Sequence, residues 1–491
     1  MKNIRLSKTY KAIAYTAITI MLSIIILNNF IMNKKIHEKI IQISVVGIII
    51  LIFIILNRYI LNKIHNKNQT IIIIGLLITF LALEIISVIC FRIIPAGDFQ
   101  YVIDTAKDLL KYGESKTMYY FEIYPNNIGS LIITTLSIFL AGGSEIGAYI
   151  SNIILIFLSS IFAMLVSKKI GGYKLAINTL LIMILCCPIY LYAPIVYTDT
   201  QSIFIPIATI YFWMLAKESQ TRRKYIYWII LSILAIMAYI IKPFTLIVYI
   251  AIILETIFCN RKYLKKLGIS LMIFVILFVS YKVAQEKFVL KNSELTLPYT
   301  HWIMMGLGTV ELANGKVIGW GTYNIKDFFY TKSQPTVEKK KEVTIKVIKT
   351  RLKDFGVKGY LEFLYNKFKF VWNDGTYYVF NKIGLITVNR DTILYDYVIG
   401  DKREDTIEPY LSYYHQFMMT MILVAVIIDI KNKKDGTIRV METSMIGLAI
   451  FLLIWEARSR YIYTLIPFFS ILAAYGIYRI SKVTNINKNE Y

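Results

Sequence analysis

Residues 70–91, TIIIIGLLITFLALEIISVICF, form an apolar run, and residues 92–127, RIIPAGDFQYVIDTAKDLLKYGESKTMYYFEIYPNN, follow it directly. The second stretch is polar, acidic in places and rich in tyrosine, and apolar sequence returns at Ile128. A helix needs about 20 apolar residues to cross the hydrocarbon core of a bilayer. The two stretches therefore predict a transmembrane helix followed by a polar segment, which is either an ordered functional loop or a plain connector.

Apolar runs of this length recur along the whole chain of 491 residues, more than half of which are apolar. A soluble protein does not carry so many uninterrupted runs. A transmembrane barrel would instead show short segments that alternate apolar and polar residues. The sequence therefore predicts an all-α polytopic membrane protein with about twelve transmembrane helices. These are expected near residues 12–32, 40–57, 70–91, 145–166, 174–188, 202–216, 225–241, 244–258, 267–283, 411–430, 441–455 and 461–478.

The formal charge of +24 does not indicate nucleic-acid binding in such a chain. Lys and Arg gather in the cytoplasmic loops of membrane proteins and set their orientation. With the N-terminus inside, the inner connections between the predicted spans are richer in Lys and Arg than the outer ones. Both termini are therefore expected to be cytoplasmic. Residues 128–140 are too short for a crossing and are expected to form an interfacial or re-entrant helix.

The predicted spans divide the chain into regions. The long outer loop before the last three spans contains helical and aromatic-rich runs and is expected to be folded. The regions are 1–69, two N-terminal helices; 70–283, a transmembrane module with the first outer loop at 92–127; 284–410, the extracytoplasmic loop region; and 411–491, the last helices and a cytoplasmic tail.

Four cysteines lie within or beside apolar runs, without metal-ligand spacing, and imply no disulfide framework.

Asp98 is the first candidate for chemistry. It follows Pro95 and Gly97 just beyond a predicted span, and apolar residues recur behind it at helical spacing, so an amphipathic helix is predicted to begin here. Aspartate is a preferred helix-capping residue. The alternative is a carboxylate held at the membrane surface as a general base. Both interpretations stay open.

Further polar residues fall on the same predicted outer face. Tyr124, Asn126 and Asn127 belong to YPNN, which is either a turn or a polar wall for a sugar. Asp199 in YTDTQ either caps the next span or has a partner or a task near the membrane. Lys242 interrupts an apolar run and is either a lysine that reaches for the interface or a countercharge for a lipid-linked phosphate.

The turn WEARSRY places Glu456, Arg458 and Arg460 between two predicted spans on the outer side. Arginines are disfavoured there without a specific reason, and a guanidinium fits phosphate oxygens. Anion binding is therefore favoured over a purely structural Glu–Arg pair. In the long loop, His301 and Trp302 lie in PYTHWIMMG, where aromatic side chains either stack on a sugar ring or anchor the loop at the interface.

The sequence contains no P-loop, dinucleotide-binding fingerprint, HExxH or GxSxG motif. This argues against ATP-driven transport and against the commonest hydrolase classes. Enzymes that need none of these motifs remain.

Together these residues resemble the C-type glycosyltransferases (the GT-C superfamily), in particular the bacterial branch related to protein O-mannosyltransferases and the lipid A aminoarabinose transferase. The resemblance rests on Asp98 in AGDFQ, on Asp199 in YTDTQ and on the turn EARSRY, and it covers about residues 70–480. YPNN, HWIMMG and WNDGTY also resemble membrane glycosyltransferases of Gram-positive bacteria. Many members carry a paired acidic motif in the first loop, whereas Phe99 follows Asp98 here.

The resemblance implies a GT-C-like fold and transfer of a sugar from a polyprenyl-phosphate-linked donor to an extracytoplasmic glycan or protein acceptor. Asp98 would deprotonate the acceptor hydroxyl, and Asp199 would help to shape the site. Lys242, Arg458 and Arg460 would hold the donor phosphate. The resemblance leaves open a divalent cation, with Asp98 and Asp199 as candidate ligands, and implies no other cofactor.

Two other functions remain as alternatives. One is a transporter or flippase for a lipid-linked glycan, and the other is a polysaccharide polymerase or ligase. Transporters tend to carry ionisable residues near the midplane and repeated halves. Here the polar candidates fall on one face and no internal repeat is found, which favours the enzyme in the cell membrane with its site outside.

Overall fold

The computed structural model describes residues 2–31, 36–61, 63–220, 223–383, 392–430 and 435–486. These residues are almost entirely helical. One short antiparallel hairpin, β1 (Thr309–Glu311) and β2 (Val317–Trp320), interrupts the pattern in the long loop. The chain is an all-α polytopic membrane protein, as the sequence predicts.

Eight helices in the described part of the chain are long and apolar enough to cross a membrane. The number is nine if the bent pair Lys116–Ile123 and Pro125–Leu140, with an angle of 106° between its halves, counts as one span. Two shorter apolar helices, Tyr225–Ile241 and Pro243–Cys259, accompany them. The predicted twelve is thus higher than length and composition support.

The difference has identifiable sources. The predicted spans 145–166 and 174–188 correspond to the two helical parts of Ile146–Leu185, which are separated at Gly172 but count as one candidate span here. The predicted spans 202–216, 225–241 and 244–258 are helical, but their helices fall below the length of about 20 residues that a crossing needs.

The N-terminal helices pack against the C-terminal part of the bundle. Asn29 Nδ2 donates a hydrogen bond of 2.7 Å to Gln416 Oε1, and the hydroxyl groups of Tyr10 and Thr443 lie 3.2 Å apart. The first two helices therefore pack against the last helices, although they lie far apart in the sequence. The helices of this region are α1 (Lys2–Ile31), α2 (Ile36–Ile55) and α3 (Asn66–Phe91).

The segment after α3 runs along one end of the bundle. Arg92, just after α3, forms an ion pair of 2.5 Å with Glu145, just before the next long helix. We call this end of the bundle the site end. The helices between these two residues are α4 (Asp98–Tyr112), α5 (Tyr119–Ile123) and α6 (Ile128–Leu140).

The helix α6 enters and leaves at the site end. Asn127 before it hydrogen-bonds Tyr197, and Glu145 after it pairs with Arg92. A helix of 13 residues with both ends on one side does not cross the bilayer. This agrees with the expectation of an interfacial or re-entrant helix for residues 128–140.

The middle of the chain doubles back at a glycine. Gly172 has φ 76° and ψ −166°, a conformation open mainly to glycine. The hydroxyls of Ser167 and Thr179 lie 2.8 Å apart, although 12 residues of straight helix would separate them by about 18 Å. Lys169 pairs with Glu218 at this turn, which defines the opposite end of the bundle. The helices are α7 (Ile146–Leu185), α8 (Pro188–Leu191), α9 (Thr198–Ser202), α10 (Phe204–Glu218), α11 (Arg223–Ile241), α12 (Ile247–Cys259) and α13 (Leu264–Phe288).

The long loop is folded over the site end. Its longest element is broken at Gly356, with φ 56° and ψ −175°, between the two helical runs that the sequence predicts. Lys367 is buried and donates to the backbone oxygens of Gly306 (2.7 Å) and Trp455 (2.7 Å). The loop is thus bound to the turn WEARSRY, residues 455–461. The helices here are α14 (Tyr299–Met305), α15 (Ile325–Lys332), α16 (Val337–Trp372), α17 (Phe380–Ile383) and α18 (Ile393–Val398).

The last helices occupy the centre of the molecule. Almost all residues in the apolar part of the final candidate span, Ser459–Ser481, are buried in the protein. In Arg261–Phe288 only a small share of them is buried. The core therefore gathers around the C-terminal helix, and α13 lies at the periphery. The three helices are α19 (Ile407–Ile430), α20 (Gly436–Ile454) and α21 (Ile466–Ile486).

Candidate functional site

Asp98 is the first residue of α4, and the preceding glycine determines its position. Gly97 occupies the N-cap with φ 56° and ψ −129°, so Asp98 is not the capping residue. Phe99, Val102 and Ile103 are buried and hold the apolar face of α4 against the bundle, which confirms the predicted amphipathic helix. Asp98 itself is half-buried and forms no hydrogen bond or ion pair with any residue that the structure describes.

The YPNN segment forms part of a buried hydrogen-bonded unit beside Asp98. Asn127 Nδ2 donates to the hydroxyls of Tyr120 at 2.7 Å and Tyr197 at 2.9 Å. Asn126 Nδ2 donates to Asn127 Oδ1 at 3.0 Å. The ring of Tyr124 lies 6.0 Å from that of Trp302. The first outer loop is therefore fixed both to the segment that precedes Asp199 and to the long loop.

Asp199 lies between two cations. It belongs to α9 and is buried, and Lys242 Nζ donates a hydrogen bond to its Oδ1. Arg460 Nη1 lies 3.6 Å from the other oxygen, Oδ2. Burial alone would raise the pKa of Asp199, but the charges of Lys242 and Arg460 outweigh it and hold the pKa below its usual range. Asp199 is therefore a permanent anion, which suits a structural countercharge better than a base.

Arg460 keeps part of its hydrogen-bonding capacity unused. Its Nη2 donates to the hydroxyl of Tyr461 at 3.2 Å, and that hydroxyl donates to Glu456 Oε2. The Nε and Nη1 atoms are buried without a hydrogen-bond acceptor among the described residues. Glu456 N donates to Trp302 O at 3.1 Å, which ties this turn to the long loop. We call Asp199, Lys242, Glu456, Arg460 and Tyr461 the polar centre.

Arg458 points to a different set of partners. Its guanidinium lies 5.1 Å from the ring centre of Phe370 and 4.7 Å from that of Tyr378. Tyr378 and Tyr377 have φ values of 62° and 52°, the left-handed region that side chains other than glycine rarely adopt. Such strain persists only where the surroundings impose it and is common at functional sites. The WNDGTYY segment thus provides an aromatic support for Arg458.

Lys382 is a member of the site that the sequence analysis missed. Its Nζ lies 4.9 Å from the ring centre of Phe99 and 6.0 Å from that of Tyr197. Burial lowers its pKa to about 8, and the charge of Arg460 adds to this effect. Asp98 and Asp199 act in the opposite direction, so Lys382 lies between Asp98 and the polar centre. A lysine in a predicted outer loop is a signal that the sequence offers. Because the loop contains many lysines, this signal does not single out Lys382.

His301 and Trp302 take different places although they are neighbours. His301 Nδ1 lies 2.8 Å from Thr331 Oγ1, on the side of α15. Burial lowers the pKa of His301 to about 4, so the ring is neutral at physiological pH. Trp302 packs on Trp455, with ring centres 6.5 Å apart. The structure brings Trp302 to the site and leaves His301 in the packing of the long loop.

The residues present do not fit a divalent cation. No group of three or more His, Cys, Asp or Glu side chains in the described ranges has metal-binding geometry. Both oxygens of Asp199 face Lys242 and Arg460. A cation at Asp98 would have a single carboxylate ligand, whereas hard cations take several oxygen ligands.

The structure therefore gathers most of the predicted residues at one end of the bundle. Asp199, Lys242, Glu456 and Arg460 share direct contacts, and Asn127 and Trp302 are connected to them by hydrogen bonds or packing. Asp98 lies beside them without a partner. The arrangement offers guanidinium and ammonium groups next to an unpaired carboxylate, which is suited to an anionic leaving group and a proton acceptor.

Comparisons with known proteins add the following. Two crystal structures of ArnT from Cupriavidus metallidurans are similar. The one bound to undecaprenyl phosphate has 10% identity and a TM-score of 0.37, and the alignment covers 85% of this chain and 79% of that chain. The apo state has 10% identity and a TM-score of 0.38, with 84% and 77% covered. Scores of this size establish neither a shared fold nor shared chemistry.

No curated protein matches the sequence. A family model described as "Conserved hypothetical integral membrane protein" matches residues 4–480, which is nearly the whole chain. The chain therefore belongs to this family of integral membrane proteins.

Proposed function

We propose that this protein is a membrane glycosyltransferase that moves a sugar from a polyprenyl-phosphate-linked donor to an acceptor on the outer face of the cell membrane. The acceptor is a cell-envelope glycan or a protein. The GT-C resemblance of the sequence supports this class of reaction. The site end of the bundle would face outward, with both termini in the cytoplasm.

One observation carries the proposal. Arg460 holds two buried donor atoms without a hydrogen-bond acceptor in the described residues: Nε, and Nη1, which faces Asp199 Oδ2 at 3.6 Å, beyond hydrogen-bonding distance. Unsatisfied buried donors are costly, so a site that keeps them is prepared for a ligand. A phosphate oxygen matches a guanidinium in charge and geometry. Lys242, already paired with Asp199, and Lys382 add positive charge around the same point.

The residues have distinct tasks in the transfer. Asp98 accepts the proton of the acceptor hydroxyl while the hydroxyl oxygen forms a bond to the anomeric carbon of the sugar. The bond between that carbon and the phosphate oxygen breaks, and its electron pair leaves on the polyprenyl phosphate. Arg460, Lys242 and Lys382 stabilise the negative charge on the leaving phosphate. The sugar is already activated on its phosphate, so the reaction needs no nucleotide.

The other residues of the site shape and support it. Asp199 fixes the positions of the two cations that touch it, and Glu456 orients Tyr461 and through it Arg460. Asn127 holds the hydroxyls of Tyr120 and Tyr197 in place, and the exposed amide of Asn126 contributes hydrogen-bonding groups for a sugar. Arg458 adds positive charge near the polar centre. Tyr124 and Trp302 offer aromatic faces for a sugar ring.

The test compares sugar transfer from a radiolabelled polyprenyl-phosphate donor pool by membranes that carry the wild-type protein or Asp98→Asn, at matched protein level. Asparagine keeps the shape of the side chain and removes the base. We expect transfer to fall by a factor of about 10² to 10⁴, the usual contribution of a general base.

Asp104→Asn is the matched control. It makes the same substitution on the same helix, six positions further along, where the side chain is also half-buried. Transfer by this variant is expected to stay at the wild-type level. Full activity of Asp98→Asn would remove Asp98 as the base. Movement of a lipid-linked glycan across the membrane by a wild-type protein that transfers no sugar would instead identify a transporter.

A further inference from the structure

A cavity of about 440 Å³ lies next to the polar centre, on its peripheral side. Its walls come from the site ends of α11 and α13, from the connection between α13 and α14, and from the start of α16. The helix α13 is the least enclosed of the candidate spans, so the cavity lies beside a surface that faces the surrounding lipid. A ligand in it would be within reach of the membrane.

The lining of the cavity combines a mainly apolar wall with a few polar groups. Leucine, isoleucine, proline and tyrosine side chains make most of the wall, including Tyr239 and Tyr281, whose rings lie 6.1 Å apart in an edge-to-face contact. Tyrosine combines apolar area with a polar tip, as at membrane interfaces. The amides of Asn126 and Gln285 add hydrogen-bonding groups.

The charge of the lining has one sign. Lys282 and Lys341 line the cavity, and none of the lining residues is acidic. Lys282 Nζ donates to Gln285 Oε1 at 2.8 Å and lies 5.5 Å from the ring centre of Tyr239. Neither lysine forms an ion pair with a carboxylate in the described parts of the chain. Glu294 Oε2 accepts a hydrogen bond of 2.7 Å from the backbone N of Val337 in the cavity wall, so one carboxylate lies nearby. Two ammonium groups above an apolar wall still leave a net positive charge, which attracts an anionic amphiphile.

The cavity lies beside the polar centre. Its residues Pro243 and Asn126 are the direct chain neighbours of Lys242 and Asn127. Trp302 lines the cavity, and its backbone oxygen accepts the hydrogen bond from Glu456 N. None of the five residues of the polar centre lines the cavity, so the lysines of the cavity lie apart from Arg460.

We infer that this cavity binds the phosphate headgroup of an anionic membrane phospholipid, with Lys282 and Lys341 at the phosphate and the tyrosine-rich wall against the adjoining apolar part. The phospholipid occupies a site of its own, beside the site of the leaving phosphate. This inference does not depend on the transfer reaction, because the binding involves neither Asp98 nor the sugar donor.

The experiment uses the full-length protein in nanodiscs of phosphatidylcholine. Brominated phosphatidylglycerol or, in a parallel series, brominated phosphatidylcholine is added in increasing fractions. Bromine quenches tryptophan fluorescence on contact, and the difference between wild type and Trp302→Phe isolates the signal of Trp302 at the cavity wall. We expect phosphatidylglycerol to quench this signal at a fraction at least about fivefold lower, since each lysine near an anionic lipid contributes a factor of that order.

The double variant Lys282→Gln/Lys341→Gln is expected to lose this preference. The matched control Lys287→Gln/Lys349→Gln removes two exposed lysines from the same two helices, outside the cavity, and is expected to keep it. Equal quenching by the two lipids in the wild type would overturn the inference. An unchanged preference in the Lys282/Lys341 variant would overturn it as well.

Two competitors distinguish the source of the phosphate. Excess inorganic phosphate is expected to leave the quenching unchanged, because it does not contact the apolar wall, and displacement by it would overturn the assignment to a lipid. Competition by farnesyl phosphate as effective as that by phosphatidylglycerol would assign the cavity to the donor and overturn the separate site. The preference for phosphatidylglycerol is expected to persist in Asp98→Asn. A failure of the lipid-binding inference can therefore be distinguished from a failure of the proposed transfer reaction.

Discussion

Asp98 and Asp199 have the same side chain, but their surroundings give them different roles. Asp199 is buried between Lys242 and Arg460, which hold its pKa below the usual range and keep it charged. Asp98 is half-buried at the start of α4 and has no partner in the described chain. A carboxylate with both oxygens free can receive a proton from a substrate, whereas one held by two cations cannot.

Removing the charge of Asp199 is expected to destabilise the protein. Asp199→Asn leaves Lys242 buried without its anion, and breaking a buried ion pair from one side costs about 3–5 kcal/mol. The double variant Asp199→Leu/Lys242→Met removes both charges and is expected to lose less than the single one. The measurement is the unfolding midpoint of purified protein in detergent. A double variant less stable than Asp199→Asn would contradict the pairing.

Lys382 gives the site a pH dependence at its alkaline side. Its pKa is lowered to about 8, so the ammonium is charged below this pH and neutral above it. Because the charged form would hold the donor phosphate, kcat/KM for the donor is expected to fall by about tenfold or more as the pH rises through about 8. The measurement is the pH profile of sugar transfer at low donor concentration.

Two variants separate Lys382 from other groups that titrate near this pH. Arginine stays charged throughout the alkaline range, so Lys382→Arg is expected to make the decline near pH 8 smaller. Burial lowers the pKa of Lys242 to about 8 as well, so Lys242 accounts for the part that remains. Lys382→Gln is expected to have a lower activity and a smaller decline across the same range. A wild-type decline that persists unchanged in Lys382→Gln would exclude Lys382 as its origin.

Among the helices, α4 and α7 show what the pattern of apolar residues predicts and what it leaves open. The spacing of Phe99, Val102 and Ile103 predicts the amphipathic helix α4, and the structure buries these residues. For α7, hydropathy predicts two separate spans, and the structure divides the segment into two helical parts at Gly172. The periodicity of apolar residues predicts which side of one helix is buried. It does not predict the direction of the chain after Gly172, which depends on the φ angle of that residue.

The turn at Gly172 leads to a test of this element. Its φ of 76° and ψ of −166° lie in a region open essentially to glycine alone. Gly172→Ala is expected to cost about 1–3 kcal/mol of stability, although the added methyl group would meet no atom within 4 Å.

Gly75→Ala is the control for this change. It also meets nothing within 4 Å, but it lies inside α3 without a positive φ. Alanine is the better helix former, so this variant is expected to be neutral or slightly stabilised. Thermal unfolding of both variants in detergent compares them. Equal stability of the two would mean that the chain does not double back through this glycine.

Chemical patterns in the sequence predicted much of the candidate site. Asp199, Lys242 and Arg460 were chosen separately as polar residues in apolar or outer contexts, and the structure brings them into one contact network. Lys382 could not be found this way, because it is one of many lysines in a charged loop. Its role follows only from its position beside Phe99 and Tyr197, which depends on the fold of the long loop.

For the whole molecule, the two ends of the bundle carry different structures. The site end holds the first outer loop, the long loop and the polar centre, whereas the turn at Gly172 and the short connection 260–263 lie at the opposite end. Tyr263 hydroxyl donates to Lys217 O there at 2.9 Å. The bias of Lys and Arg toward these short connections predicts that the opposite end is cytoplasmic.

This orientation is tested with single cysteines in a variant whose four native cysteines are replaced. Asn314→Cys lies in the exposed turn between β1 and β2 at the site end, and Lys262→Cys is exposed at the opposite end. A membrane-impermeant maleimide is expected to label Asn314→Cys in intact cells and Lys262→Cys only after lysis. Labelling of both in lysed cells controls for their accessibility. The reversed pattern would place the polar centre in the cytoplasm, where a donor that is used outside could not reach Arg460, and the proposed extracytoplasmic transfer would be wrong.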